Sequence, residues 1–379
     1  MRDAVIVGAV RTPVGKRNGS YAGVHPADLS AHVLRALAER AGIDPAAVED
    51  VVWGCVSQVG AQSINVARSA VLGAGWPEAI PAVTIDRQCG SSQQAVHFAA
   101  GSVLSGQADV VVAGGVEVMS MVPIGANAVG DFGQPYGPLF AERYPNAVNQ
   151  GISAEMIAEK WNLSRTQLDE FSLASHSRAA AAIDGGAFAG QYVQIPGTEL
   201  AADEGVRRGT TLEKLGSLKP AFKEDGVIHA GNSSQISDGA GALLITTSEK
   251  AAELGLRPLV RLHSFAVVGD DPVIMLTAPI PATAKVLARA GLSIGDIGAF
   301  EINEAFAPVP LAWLAETGAD PARLNPLGGA IAIGHPLGGS GSVLMTRLVH
   351  HMVDNGIRYG LQSMCEGGGM ANATVLELL

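Results

Sequence analysis

The strongest constraint on the fold is a regular alternation of short apolar runs and amphipathic stretches in the first third of the chain. The predicted strands lie at 4–10, 51–55, 83–85 and 109–113, and the predicted helices at 27–41, 64–72 and 91–105. This alternation is typical of α/β layers whose strands are covered by helices on both faces. The pair Gly114–Gly115 is predicted to close the last of these strands.

The middle of the chain has a different pattern. Residues 122–148 are rich in Gly, Pro, Asn and Tyr and lack periodicity, which indicates an irregular loop region. Helical periodicity resumes at 152–161 and 166–182.

An internal repeat relates the two ends of the chain. The segment 88–115 begins QCGSSQQAV and orders a glycine turn, a helix, a strand and a glycine pair, and the segment 334–369, beginning GHPLGGSGS, has the same order. The repeat predicts duplicated modules whose helices pack face to face. We therefore expect an N-terminal half at 1–118, completed by about 237–257, an inserted loop domain at 119–236, and a C-terminal half at 258–379.

Composition excludes several classes of protein. With 47% hydrophobic and 16% charged residues, the chain can bury a large core and is not disordered. A formal charge of −11 disfavours nucleic acid and anionic membranes as partners. The three cysteines form no CxxC pair, which predicts neither a disulfide framework nor a zinc or other metal site. We find no secretory signal pattern and no apolar stretch long enough for a membrane span, so we expect a cytoplasmic protein.

Common catalytic signatures are also missing from the sequence. It contains no GxGxxG after the first strand, and no GxxxxGK[ST], HExxH or GxSxG. Nicotinamide chemistry, P-loop hydrolysis, zinc proteolysis and the α/β-hydrolase mechanism therefore lack their usual motifs.

Cys89 is the first candidate for chemistry. It lies between a predicted strand and a predicted helix, where the helix dipole, free N–H groups and nearby Arg87 would lower the pKa of its thiol. The alternative is a small buried core residue, which is common for free cysteine.

Three further polar groups lie at predicted strand ends or glycine turns. His335 lies between a short predicted strand and a helix, Cys365 ends a strand before three glycines, and Asn303 follows the strand AFEI. Taken singly, they could be a surface turn histidine, a buried strand-end cysteine and a helix N-cap. Together they occupy the kind of place where α/β sheets build active sites.

A basic strip stands out in this acidic chain. It carries five cations and one acid, Glu213, and its cations are Arg207, Arg208, Lys214, Lys219 and Lys223. The strip is either a solvated face or a docking surface for a ligand that bears phosphate.

The motifs resemble the thiolase family, the acyl-CoA acetyltransferases, over almost the whole chain. The blocks that carry the resemblance are VRTPVGKRNG at residue 10, the Cys89 segment with VVVAGGVEVMS, GNSSQISDGA, EINEAF, GGAIAIGHPLGGSG and CEGGG. The resemblance implies a five-layered αβαβα fold of two similar βα halves, with an inserted loop domain that covers the active site. It also implies a homodimer or homotetramer.

The resemblance further implies roles for particular residues. Cys89 would carry the acyl group as a thioester, and His335 would take its proton. Cys365 would be the second acid and base. Asn303 would hold a water that acts with His335 on the enolate oxygen, and the N–H groups of Cys89 and Gly367 would form a second oxyanion hole. The residues implied in CoA binding are Arg207, Phe222, Ala230, Ser234 and Phe306.

Some positions depart from the pattern of the thiolase family. Ser92 stands where many members have glycine, so the packing of that helix start is expected to differ. Asn149–Gln150–Gly151 stands where short-chain biosynthetic members commonly have His-Met-Gly. The blocks around Cys89 and at 231–240 are more similar to bacterial degradative thiolases.

We therefore expect a thiolase that cleaves 3-ketoacyl-CoA with CoA, with CoA and acyl-CoA as substrates and no tightly bound cofactor. The alternatives are a biosynthetic acetoacetyl-CoA thiolase, a decarboxylating ketoacyl synthase, and an acyl-CoA-binding protein on a thiolase scaffold. The ketoacyl synthase would need a second histidine where Cys365 stands. The binding protein would have no need of Cys89, His335 and Cys365.

Overall fold

A computed structural model describes residues 2–131 and 133–379. Its strands are β1 (Val5–Arg11), β2 (Gly15–Lys16), β3 (Asp50–Gly54), β4 (Ala82–Ile85), β5 (Val110–Val118), β6 (Ser237–Thr246), β7 (Val260–Gly269), β8 (Ala299–Ile302), β9 (Tyr359–Glu366) and β10 (Met370–Leu378). Its α-helices are α1 (Pro26–Ala41), α2 (Val66–Gly73), α3 (Ser91–Ser105), α4 (Pro138–Arg143), α5 (Gln150–Lys160), α6 (Arg165–Asp184), α7 (Leu212–Gly216), α8 (Ser248–Glu253), α9 (Pro279–Ala290), α10 (Pro308–Thr317), α11 (Ala330–Ile333) and α12 (Ser340–Asn355).

The ten strands form one continuous hydrogen-bonded sheet, which a short junction divides into two parts, called below the first and the second sheet. The short β2 pairs with β6 outside the main order. The order is β4-β3-β5-β6-β1 and then β7-β10-β9-β8, and β1 pairs with β7 only through Val5 and Ile6. In the first sheet, β6 lies between β1 and β5 and runs antiparallel to both. In the second sheet, β10 lies between β7 and β9 and runs antiparallel to both. The internal repeat of the sequence therefore has a counterpart in the topology.

The buried side chains divide the molecule into five layers. Leu37 of α1 belongs to a core on the outer face of the first sheet, and Val286 of α9 to a core on the outer face of the second. Between the sheets, Val96 of α3 and Met345 of α12 share one core with strands of both sheets. The predicted αβαβα fold of two similar halves is confirmed.

The segment between β5 and β6 carries α4 to α7 and is tied to the first sheet by a buried ion pair. The Arg11 guanidinium on β1 donates to Asp203 at 2.7 Å, and both side chains are inaccessible to solvent. The Tyr192 hydroxyl donates to the same carboxylate at 3.0 Å. The division of the chain at residues 118, 236 and 257 stays a prediction.

Three local predictions differ from the structure. Strand β5 continues to Val118 through Gly114–Gly115, because these glycines allow close approach of Gly241 and Gly338 and do not form a turn. The predicted short strand before His335 is the helix α11. Asn303 is not an N-cap, since α10 begins only at Pro308.

Within residues 2–131 and 133–379, we find no helix that combines the length and the apolar character needed to span a bilayer.

Candidate active site

Cys89 occupies a tight turn between β4 and α3. The residue before it, Gln88, has a positive φ of 49°, and the Ser91 hydroxyl donates to the Gln88 carbonyl at 2.6 Å. Cys89 is 5% exposed and lies in an apolar cluster with Val56, Met119 and Leu337. Because Leu337 follows His335 by two residues, this cluster joins the cysteine turn to the histidine loop.

The predicted low pKa of Cys89 is wrong. Burial raises the pKa of the thiol to about 12, and the nearby carboxylate of Glu366 adds to the effect. The helix N-terminus does not outweigh this desolvation, and the charge of Arg87 acts on Glu366 instead. Cys89 is therefore a thiol in the free protein and needs a base.

His335 lies in the loop between α11 and α12 and is 3% exposed, so it is not a surface turn histidine. Its Nδ1 lies 2.5 Å from the Ser340 hydroxyl, which also lies 2.9 Å from the Pro336 carbonyl. The carbonyl can only accept, so we assign the Ser340 proton to it and the Nδ1 proton to the histidine. Burial lowers the pKa of His335 to about 4. The ring is neutral, and its Nε2 is a base.

Asn303 follows β8 and lies beside this base. Its Nδ2 is 3.4 Å from Nε2 of His335. Its Oδ1 is buried and has no hydrogen-bond partner among the residues that the structure describes. A buried carbonyl oxygen without a donor is suited to accept a hydrogen bond from a water or a substrate.

Cys365 lies near the end of β9 and is 1% exposed. Burial raises the pKa of its thiol, and Cys89 and Glu366 raise it further. Cys89 therefore lies close enough to Cys365 to raise the pKa of its thiol. Gly367 lies beside the cysteine turn, since a Cβ there would be 3.2 Å from the Gln88 side chain and 3.3 Å from that of Gln150.

Two buried carboxylates hold these loops in place, and sequence reasoning did not identify them. Glu117 accepts hydrogen bonds from the backbone N–H groups of Val56 at 2.9 Å and Gly338 at 2.8 Å, and so links the two halves. Glu304 accepts from the Ser175 hydroxyl at 2.6 Å and the Ile331 N–H at 3.2 Å. The available signal was an acid inside an otherwise apolar segment, as in VVVAGGVEV and AFEINEAF.

Ser340 was also missed, although it stands five residues after His335 in a glycine-rich turn. Ser92, in contrast, was expected to change the packing of its helix. Its hydroxyl accepts a hydrogen bond from the Ser342 N–H at 2.9 Å and joins α3 to α12. Asn149 caps α5, where its Oδ1 accepts from the Ile152 N–H at 3.0 Å.

Several residues expected to bind CoA lie near one another. The rings of Phe222 and Phe306 meet edge to face with centroids 5.9 Å apart, and the Ser234 N–H donates to Ala305 at 2.9 Å. Ala230 is exposed four residues before Ser234 on the same loop. Phe222 is 40% exposed and therefore accessible to a ligand.

Arg207 borders a cavity of about 250 Å³ together with His176, Arg208 and Thr210. The Arg207 N–H donates to Nδ1 of His176 at 3.1 Å, so the histidine carries its proton on Nε2. Two cations of the basic strip already have partners within the protein. Arg208 pairs with Asp184 at 2.7 Å, and Lys214 donates to the Gly209 carbonyl at 2.7 Å.

The architecture agrees with comparisons to known proteins. The family model described as thiolase, N-terminal domain, matches residues 4–249, and thiolase, C-terminal domain, matches residues 256–378. The chain is 50% identical to a steroid 3-ketoacyl-CoA thiolase of Mycobacterium tuberculosis, with 100% of this chain and 95% of the relative covered. It is 42% identical to a 3-ketoacyl-CoA thiolase of Pseudoalteromonas translucida, with 100% and 99% covered.

A solved structure shares the architecture of the whole chain. The crystal structure of the acetyl-CoA acetyltransferase of Bacillus anthracis is similar with a TM-score of 0.92 and 37% identity, covering 100% of this chain and 99% of that one. Since both halves match the family and the whole architecture is shared with a solved member, this chain belongs to the thiolase family.

Proposed function

We propose that this acyltransferase cleaves 3-ketoacyl-CoA with CoA to give acetyl-CoA and a shortened acyl-CoA. The observation that carries the proposal is the neutral His335, whose Nδ1–H is held by Ser340 and whose Nε2 is a base in the loop that packs against Cys89 through Leu337. Two relatives bear the names 3-ketoacyl-CoA thiolase and steroid 3-ketoacyl-CoA thiolase, which supports the same class of reaction here.

In the first half of the reaction, Cys89 gives its proton to Nε2 of His335, and the sulfur attacks the 3-keto carbon. The C2–C3 bond then breaks, its electron pair stays on C2 as the enolate of acetyl-CoA, and the shortened acyl group remains on the sulfur. Cys365 donates its thiol proton to C2. A high pKa suits Cys365 to this role, because the thiol keeps its proton until the carbanion forms.

In the second half, the thiol of CoA gives its proton to the Cys365 thiolate and attacks the thioester. The shortened acyl-CoA leaves, and His335 returns the first proton to Cys89. Atoms and protons therefore balance over the cycle.

Oxygen atoms that gain negative charge need fixed donors nearby. The unpartnered Oδ1 of Asn303 would hold a water that acts with His335 on the enolate oxygen. The N–H groups of Cys89 and Gly367 would bind the oxyanion of the tetrahedral intermediate. The close approach of Gly367 to the cysteine turn supports this role.

CoA would bind along the loop domain. Phe222 and Phe306 would contact the pantetheine arm with Ala230 and Ser234, and Arg207 would bind a phosphate at its cavity. CoA and acyl-CoA are then substrates, and no tightly bound cofactor is needed.

We also propose a cytoplasmic homodimer or homotetramer. The three cysteines are free thiols, as expected in a reducing compartment. Strand β4 is the outer strand of its sheet and exposes Val83 to 42%, which leaves an edge that a second copy could cover. Light scattering of the purified protein tests the assembly, and a monomer would contradict it.

The test of the activity is thiolysis with CoA across 3-ketoacyl-CoA substrates from four carbons to long and sterol-like chains, with Cys89→Ala as control. We expect the highest kcat/KM on chains longer than four carbons and no turnover by the variant. A maximum at acetoacetyl-CoA would indicate the biosynthetic alternative. Binding of acyl-CoA without turnover would indicate a binding protein.

A further inference from the structure

A group of unpartnered polar atoms lies below the cysteine turn. It consists of both carboxylate oxygens of Glu366, Oδ1 of Asn372 and Nε of Arg87, which we call the Glu366 cluster. All four atoms are buried, and within residues 2–131 and 133–379 none has a hydrogen-bond partner. Buried polar atoms are nearly always paired, so this concentration needs an explanation.

The Glu366 cluster is packed directly against the nucleophile loop. A methyl group at Gly90 would overlap the Glu366 carboxyl group, so the carboxyl lies against the residue that follows Cys89. Nδ2 of Asn372 donates to the Gly90 carbonyl at 2.9 Å. Glu366 also directly follows Cys365 on β9.

The charged and titratable groups around Glu366 come from three elements. The cysteine turn contributes Arg87, Asp86 and the Cys89 thiol, and β9 contributes the neighbouring Cys365. The start of β10 contributes the backbone N–H of Asn372, which faces the Glu366 carboxyl group without completing a hydrogen bond and lowers its pKa. The Met370 sulfur lies 3.9 Å from the Arg87 guanidinium.

A protonated carboxyl group can supply the donor that the Asn372 oxygen lacks, whereas an ionised one cannot. As an acid, Glu366 has an O–H that can donate to Oδ1 of Asn372. As a carboxylate, it leaves the Asn372 oxygen without a donor. Burial raises the pKa of Glu366 to about 8, which agrees with a neutral carboxyl group at pH 7.

We propose that Glu366 is a positioning residue that acts through Cys89. In its neutral form, Glu366 closes the Glu366 cluster beneath the cysteine turn. In its ionised form, it opposes formation of the Cys89 thiolate. The proposal rests on the proposed function for the identity of the nucleophile. Its physical basis is the position of the carboxyl group against Gly90, because a negative charge there destabilises a second negative charge on Cys89. After burial, Glu366 is the largest cause that raises the pKa of that thiol.

The test is the rate at which iodoacetamide alkylates Cys89 between pH 6 and pH 10, followed by peptide mass spectrometry. The variant Glu366→Gln keeps the shape and removes the charge. We expect it to react at the wild-type rate at pH 6 and about tenfold faster above pH 8, which corresponds to about one pKa unit of the thiol. The thiolysis pH profile of the variant should lose an inflection near pH 8.

The matched control is Glu301→Gln. Glu301 is another buried acid, its pKa is raised to about 7 by burial, and its nearest cation is Arg347 at 3.8 Å. Glu301 is not among the groups that raise the pKa of Cys89. Its alkylation profile should match the wild type at every pH.

If Glu366→Gln and the wild type give parallel profiles, the proposal is wrong. If the glutamine variant does not fold, as judged by circular dichroism, Glu366→Asp replaces it. The aspartate variant should keep an alkaline inflection in its alkylation profile, and loss of that inflection would overturn the proposal. Alkylation does not depend on turnover. A Glu366-dependent profile without thiolysis would therefore reject the proposed function alone, and thiolysis with parallel profiles would reject this inference alone.

Discussion

The contact between Ser340 and His335 gives the sharpest prediction. Replacing Ser340 with alanine removes the acceptor for Nδ1–H at 2.5 Å and the donor to the Pro336 carbonyl at 2.9 Å. When His335 takes the proton of Cys89, the bond from Nδ1–H to Ser340 becomes charge-assisted. Such bonds contribute about 1.5–3 kcal/mol, against about 1 kcal/mol for neutral ones.

Only the difference between these two values affects the chemical step. A loss of about 0.5–2 kcal/mol of transition-state stabilisation lowers kcat about 2- to 30-fold. We therefore expect Ser340→Ala to lose kcat by this factor, with little change in KM for CoA. The assay is the spectrophotometric disappearance of a 3-ketoacyl-CoA at saturating CoA.

The chain offers a close control in Ser342→Ala. Ser342 is buried on the same helix, and its hydroxyl donates to the Gly339 carbonyl at 2.9 Å without contact to His335. Both variants should lose about 1 kcal/mol of unfolding free energy, measured by denaturant titration. If their kcat values agree within twofold, Ser340 does not orient the base and the assigned tautomer is wrong.

Three further predictions concern the other parts of the site and the fold. Cys365→Ala should still form the acyl-enzyme on Cys89, detected by intact mass, but should not exchange the α-proton of acetyl-CoA with deuterium. Full turnover by this variant would contradict the acid and base role of Cys365. Arg207→Ala should raise KM for CoA about tenfold at unchanged kcat, as expected when one phosphate contact is lost, and an unchanged KM would show that its cavity does not bind CoA. Asp203→Asn should destabilise the fold by about 3–5 kcal/mol because it leaves the buried Arg11 uncompensated. The double variant Arg11→Met with Asp203→Leu should recover part of this loss. Equal denaturation midpoints for the single and double variants would refute this account.

The layers of the fold could be read from the sequence because they depend on local periodicity. Helix α3 has the predicted bounds Ser91–Ser105, and α1 differs from its prediction by one residue. The errors fall where long-range packing overrides a local signal. Gly114–Gly115 has the composition of a turn, but two other segments of the backbone approach it and hold it within β5.

The candidate nucleophile shows the same limit in its electrostatics. The sequence places Cys89 before a helix, and from this feature alone a low thiol pKa is expected. In the structure, burial and the carboxyl group of Glu366, which is 277 positions away along the chain, raise that pKa to about 12. No pattern near Cys89 encodes a group so distant.

By itself, the sequence determined the α/β layers, the duplicated halves and the residue types at the cysteine and histidine turns, because periodicity and turn chemistry act over a few neighbouring residues. Only the tertiary structure decided which of these groups carry protons. Burial, the Ser340 acceptor, the unpartnered Asn303 oxygen and the Glu366 cluster arise when segments from both halves meet. Protonation depends on desolvation and on charges a few ångströms away, and those distances exist only in the folded chain.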